Sequence, residues 1–206
     1  MTNPSALVYD CEIVNAIQGR KEEKLPGINY CKGWRDFEGM GISVVCAYDY
    51  LEDRYRLFEK DNADEFASLI ESRELLIGFN SITFDNQLIY RNWRKDIDPA
   101  RCYDILREAW AGAGLGPVFA PSTHGGYSLD AMAEANLGQK KSGHGALAPV
   151  QWQRGERGAV IDYCLQDIAL TKKLFDKVLA TGSLVNPKRA GELIYMKAPS
   201  ILEASS

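Results

Sequence analysis

The stretch Ala6-Leu-Val-Tyr-Asp-Cys-Glu-Ile13 is apolar apart from its two acids. A short apolar run of this length reads as a buried β-strand. Side chains alternate along a strand, so Asp10 and Glu12 share one face while Cys11 points into the opposite layer. Two carboxylates buried side by side are costly unless a cation compensates them. Oxygen-only ligands of this kind suit Mg²⁺ or Mn²⁺ better than zinc. The plain alternative is an edge strand with two solvated acids, although Leu7, Val8 and Tyr9 fit burial better. The same spelling at Asp36-Phe37-Glu38 follows Gly-Trp-Arg and precedes Gly, which gives it no strand context.

Outward from this strand the pattern is mixed. After a polar insert at about 15–38, residues 41–48 and 54–58 read as a strand pair joined by the polar 49–53. Asn62, with Glu65 three positions on, resembles a capping box ahead of a helix whose apolar face is Phe66, Leu69 and Ile70. Residues 74–79 read as a fourth strand and 85–93 as a helix, whereas 102–106 fits a fifth strand or a helix start equally well. Residues 111–127, rich in Gly, Pro and Ser, read as a long surface loop. Ser128 can cap a helix that Gly138 ends, and 139–145 reads as a basic, glycine-containing loop. The clearest helix is 159–180, where Ile161, Cys164, Leu165, Ile168, Phe175 and Val178 recur at helical spacing. Beyond Thr181 the pattern fades and a frayed tail is expected. Strands first and then alternating helices and strands predict an α/β fold with a mixed sheet, organised as a single domain over 1–206.

Composition narrows the class without choosing it. Hydrophobic residues make up 46% of the 206, enough for a sizeable core. No apolar run reaches the roughly 20 residues that span a bilayer, and the first residues lack a signal-peptide pattern. Five cysteines with no Cys-x-x-Cys pair predict reduced thiols and a cytoplasmic location, and leave no thiolate zinc site. A net charge of −4 argues against holding nucleic acid by bulk charge.

Two further motifs carry carboxylates. In Asn80-Ser81-Ile82-Thr83-Phe84-Asp85 a strand gives way to a helix. Taken alone, Asp85 reads first as a helix N-cap. Facing the Asp10/Glu12 strand, it would serve as a ligand instead. In Tyr163-Cys164-Leu165-Gln166-Asp167 the phenol and the carboxylate lie four apart on one helical face, flanking the apolar stripe. An amphipathic boundary is the simpler account of any one such pair. The order of the three motifs is more specific than any of them.

On these residues the chain resembles the DEDD exonuclease superfamily, in its tyrosine-bearing branch, to which the proofreading domains of family B DNA polymerases belong. The similarity runs from Leu7 to about Leu179. Asp10 and Glu12 match the first exonuclease motif, Asn80, Phe84 and Asp85 the second, and Tyr163 and Asp167 the third. The sister branch carries histidine five positions before the last Asp, where this chain has Asp162. The resemblance implies a ribonuclease H-like five-stranded mixed sheet flanked by helices. It also implies two divalent cations, Mg²⁺ or Mn²⁺, held by Asp10, Glu12, Asp85 and Asp167, with Tyr163 orienting the attacking water. These four carboxylates equal the whole excess of 28 acidic over 24 basic residues, so bound cations would let a phosphate approach.

The partner implied is a nucleic acid with a 3′ end, DNA ahead of RNA, in the company of replication or repair proteins. Asn80 and Phe84 are expected at the substrate, joined by Lys24 and Trp34 of the insert and by Lys140, Lys141 and His144 of the basic loop. Aromatics beside cations suit a single strand. Three functions stay open: a 3′→5′ exonuclease on DNA or RNA, a structure-specific endonuclease on the same scaffold, and a non-catalytic nucleic-acid-binding module. Four clustered acids facing phosphates speak against the last.

Overall fold

In a computed structural model of the chain, residues 3–19, 22–139 and 145–199 are described. Strand β1 (Ala6–Ile13) lies third in a five-stranded sheet of order β3-β2-β1-β4-β5. Strands β2 (Ile42–Asp49) and β3 (Arg54–Phe58) run as an antiparallel meander beside it. On its other side β4 (Leu75–Gly78) and β5 (Cys102–Asp104) run parallel to it. This is the mixed α/β sheet expected from the pattern, with the five strands the resemblance implies.

Alternation along β1 divides the core. Ala6 and Val8 join Val44, Cys46, Leu75 and Ile77 on the face covered by α8 (Arg157–Thr181), through Cys164, Ile168 and Phe175. Leu7, Tyr9 and Cys11 join Val45, Ala47 and Leu76 on the other face. There, after a short α1 (Phe37–Met40), helices α2 (Ala63–Glu71) and α3 (Asp85–Trp93) supply Phe66, Leu69, Leu88 and Ile89. A 25-residue helix can cross both β1 and β2, as α8 does, which brings its buried stripe to the acid-bearing face.

Pairing between β1 and β4 covers only Ala6 to Val8, opposite Leu75 to Ile77. Past that point β1 continues beside β2 alone, and its register slips by a bulge immediately after Glu12. The second half of β1 therefore borders an opening at the carboxyl ends of β1 and β4, the usual place for a ligand in an α/β sheet. At the opposite end the wholly buried Asp49 accepts from Arg73 Nε at 2.8 Å and Nη2 at 2.6 Å. Burial pushes the Asp49 carboxyl up, but the guanidinium outweighs it and holds the carboxyl below its usual range.

Several local expectations are corrected. Asn62 stands at the N-cap of α2 but its side chain makes no cap bond there; it turns back to accept from the Glu59 N–H at 2.7 Å, closing a preceding 3-10 turn. Residues 102–106 are both things at once, β5 followed directly by α4 (Ile105–Gly112), with Asp104 as the helix cap. The 111–127 loop contains a short helix, α5 (Pro121–His124). Helix α6 (Leu129–Leu137) has the expected Ser128 cap and Gly138 stop, and α7 (Ala148–Gln153) follows it unforeseen. The segment expected to fray after Thr181 instead folds into a hairpin of β6 (Ser183–Val185) and β7 (Leu193–Tyr195). Among the described residues no helix is long and apolar enough to cross a membrane.

Candidate metal centre

The opening beside β1 is a cleft of about 250 Å³ lined by Asp10, Glu12, Asp85 and Asp167 together. Three segments far apart in sequence thus contribute acids to one site. Asp10 and Glu12 come from the α8 face of β1, and Asp167 of α8 lines the same cleft. Asp85 stands in the first turn of α3, and its Oδ1 accepts from the Cys11 backbone N–H at 2.9 Å. The helix cap position is Phe84, so Asp85 does not serve as the N-cap. Glu12, Asp85 and Asp167 are each no more than 7% exposed.

Next to them the Cys164 thiol lies 3.6 Å from Asp10 Oδ2. Burial first, then a hydrogen bond with Cys46, then the Asp10 carboxylate push this thiol well above its ordinary range, so it stays protonated and donates to Asp10. Asp10, Glu12 and Cys164 each offer a ligand atom within 4.8 Å of the others, a group that could hold a metal ion. Tyr163, one position earlier, is half-buried at the rim; a methyl group placed on Gly145, which lines the cleft, would meet its hydroxyl at 3.1 Å.

The Asn80–Asp85 turn is held by a carboxylate that sequence reasoning missed. Asp104 is 1% exposed and accepts from the N–H groups of Asn80 at 2.9 Å and Ile82 at 3.1 Å. It also accepts from Leu106 and Arg107 as the cap of α4. Asn80 takes φ of 65°, a left-handed conformation that asparagine tolerates better than most residues. Gly78 leaves the room the turn needs, because a Cβ there would lie 2.4 Å from that of Ser81. The signal was an Asp between a short apolar run and Ile-Leu, visible only once 102–106 is known to hold both a strand end and a helix start.

Burial pushes the Asp85 carboxyl up from its ordinary 3.8 to about 7, although the Cys11 N–H opposes the rise. Burial raises Asp104 as well, against its backbone donors. Carboxylates gathered in so buried a cleft favour a cation among them, and their hard oxygen donors fit Mg²⁺ or Mn²⁺.

Of the expected substrate residues, Trp34, Asn80 and Phe84 line the cleft. Trp34 is 71% exposed, with its ring centroid 6.4 Å from that of Phe84. Lys24 does not line the cleft; its ammonium sits 5.5 Å over the Tyr30 ring. Lys140, Lys141 and His144 lie outside the described residues. The cleft opens into a groove of about 1040 Å³, to which Trp34, Asn80 and Phe84 also contribute. Its far end is built by Trp110, Phe119, His124 and Tyr127, which sequence reasoning did not select.

The same architecture occurs in the family B DNA polymerase from the hyperthermophilic archaeon Pyrobaculum calidifontis, with a TM-score of 0.59. The likeness is one of fold. Identity is 15%, and the match covers 84% of this chain but only 24% of the polymerase. No family model matches the chain, and no curated protein matches it.

Proposed function

We propose that the chain is a metal-dependent 3′→5′ exonuclease of the tyrosine-bearing DEDD type, acting as a single domain on single-stranded DNA. The observation that supports this most is the convergence of Asp10, Glu12, Asp85 and Asp167 on one buried cleft at the end of an aromatic groove. Similarity in fold to part of a DNA polymerase favours DNA over RNA.

In this reading the four acids hold two divalent cations, which when bound supply Lewis acidity at the scissile phosphate and activate water. Tyr163 orients the incoming water from the rim. Trp34 and Phe84 receive the terminal base, and Asn80 supplies a polar edge beside it. The enclosing cleft excludes bulk water, which strengthens each electrostatic contact inside. A 5′-nucleoside monophosphate leaves.

The test is digestion of matched DNA and RNA strands, labelled at either end, with Mg²⁺, Mn²⁺, Ca²⁺ or a chelator. Stepwise shortening from the 3′ end with Mg²⁺ or Mn²⁺ is expected, with Ca²⁺ supporting binding far better than cleavage. Asp10→Ala and Asp167→Ala should each lower the rate by orders of magnitude while the protein stays folded. Full activity after exhaustive metal removal would overturn the metal role; internal cuts would turn the reading to an endonuclease.

A further inference from the structure

We propose that the far end of the groove is a stacking subsite for a base upstream of the scissile nucleotide, which makes the preferred substrate an extended single strand rather than a dinucleotide. This rests on the exonuclease reading above. The groove is continuous with the acidic cleft, since Trp34, Asn80 and Phe84 line both. A strand whose 3′ end enters the cleft must continue in the 5′ direction along whatever adjoins it.

What adjoins it is an aromatic shelf. Phe119 is 59% exposed and lines the groove. Its ring is nevertheless held in place, 6.3 Å from Trp110 and 6.1 Å from His124. His124 stands edge-on to Trp110 at 4.6 Å and is itself 6% exposed. Its Nε2 lies 2.8 Å from the Gly116 carbonyl, and the Ala120 N–H approaches its Nδ1 at 3.2 Å, so the loop closes on the His124 ring, which packs against Trp110 of α4. A ring presented to solvent in a fixed orientation loses little freedom when a base stacks on it.

The groove's charges are balanced. Arg35 and Arg91 line it, and so do Asp36 and Glu38. Asp36 is engaged with the Lys32 and Gly39 backbone N–H groups, at 2.8 and 3.1 Å. Bulk attraction to phosphate is therefore weak, and affinity must come from base faces on Trp34 at one end and Phe119 at the other. Only unpaired bases offer such faces, because those of a duplex are already stacked on one another.

The experiment compares wild type with Phe119→Ala on single strands from a dinucleotide up to about a dozen nucleotides. Wild-type kcat/KM should rise with length until the shelf is reached and then level off. Phe119→Ala should lose roughly tenfold on long strands, mostly in KM, and nothing on the dinucleotide. Phe119→Tyr, which keeps a ring, should restore the long-strand value. A flat length profile in wild type, or an equal loss at every length, would overturn the subsite while leaving the exonuclease standing. If no strand of any length is cleaved, the exonuclease reading itself fails. Fluorescence anisotropy with a labelled strand then still reads the shelf: roughly tenfold weaker binding by Phe119→Ala is expected, and equal binding refutes it.

Discussion

Tyr163 and Cys164 are neighbours on α8 with different surroundings: the thiol is wholly buried against Asp10, and the phenol is half-buried at the cleft rim. If the hydroxyl orients water, Tyr163→Phe keeps the ring packing and removes one polar contact. Single-turnover cleavage should fall by roughly 10- to 1000-fold with strand affinity unchanged. An unchanged rate would make Tyr163 a boundary residue of an amphipathic helix. Asp85 gives a pH signature. Its folded carboxyl titrates near 7 and its unfolded one near 3.8, so the folded metal-free protein binds the extra proton between those values. Stability should be greatest below that window and fall as pH rises through it. Thermal unfolding in chelator across this range should show the decline, Asp85→Asn should flatten it, and a wild-type profile without the decline would contradict the assignment. Both residues were legible in the sequence because motif spacing located them. Their energetics were not, since burial depends on what the rest of the chain lays over them.

The strand-to-helix turn between β4 and α3 does at the level of elements what no single residue does. It carries Asn80 and Phe84 to the groove and Asp85 to the cleft, and Asp104 holds it by two of the four N–H groups that carboxylate accepts. Asp104→Ala would leave those donors buried without an acceptor and should cost about 2–4 kcal/mol. Activity should fall beyond what the unfolded fraction explains, measured as turnover per folded molecule well below the melting temperature. Turnover at the wild-type level would show that the cap serves α4 alone. The elements that sequence made plain were the long ones, such as β1 and α8, where period two or 3.6 has room to repeat. Strands β5, β6 and β7 have three residues each, too few for alternation to declare itself. The hairpin also depends on a distant glycine: a Cβ on Gly112 would sit 2.4 Å from the Tyr195 carbonyl oxygen, and no local pattern announces that approach.

Across the whole molecule, the α8-side and α3-side layers meet at the cleft. The fold class followed from the order of strands and helices, and the convergence of the acids from the resemblance their motifs carry. The groove was not legible, because its wall joins the insert, α3, α4 and the loop after α4, which share no pattern. The bond from Cys11 to Asp85 spans 74 residues and the contact from Cys164 to Asp10 spans 154. Contacts of such separation form only after the chain ends have been brought together, so the acidic cleft should be assembled late. An ion that needs all three segments has nothing to grip in the collapsed chain or at the folding barrier. Mn²⁺ should therefore slow the escape from the native state and leave the speed of reaching it unchanged. In a denaturant series the unfolding limb should drop with added Mn²⁺ while the refolding limb stays put. A rise in the refolding limb would mean that β1, α3 and α8 meet before the barrier is crossed.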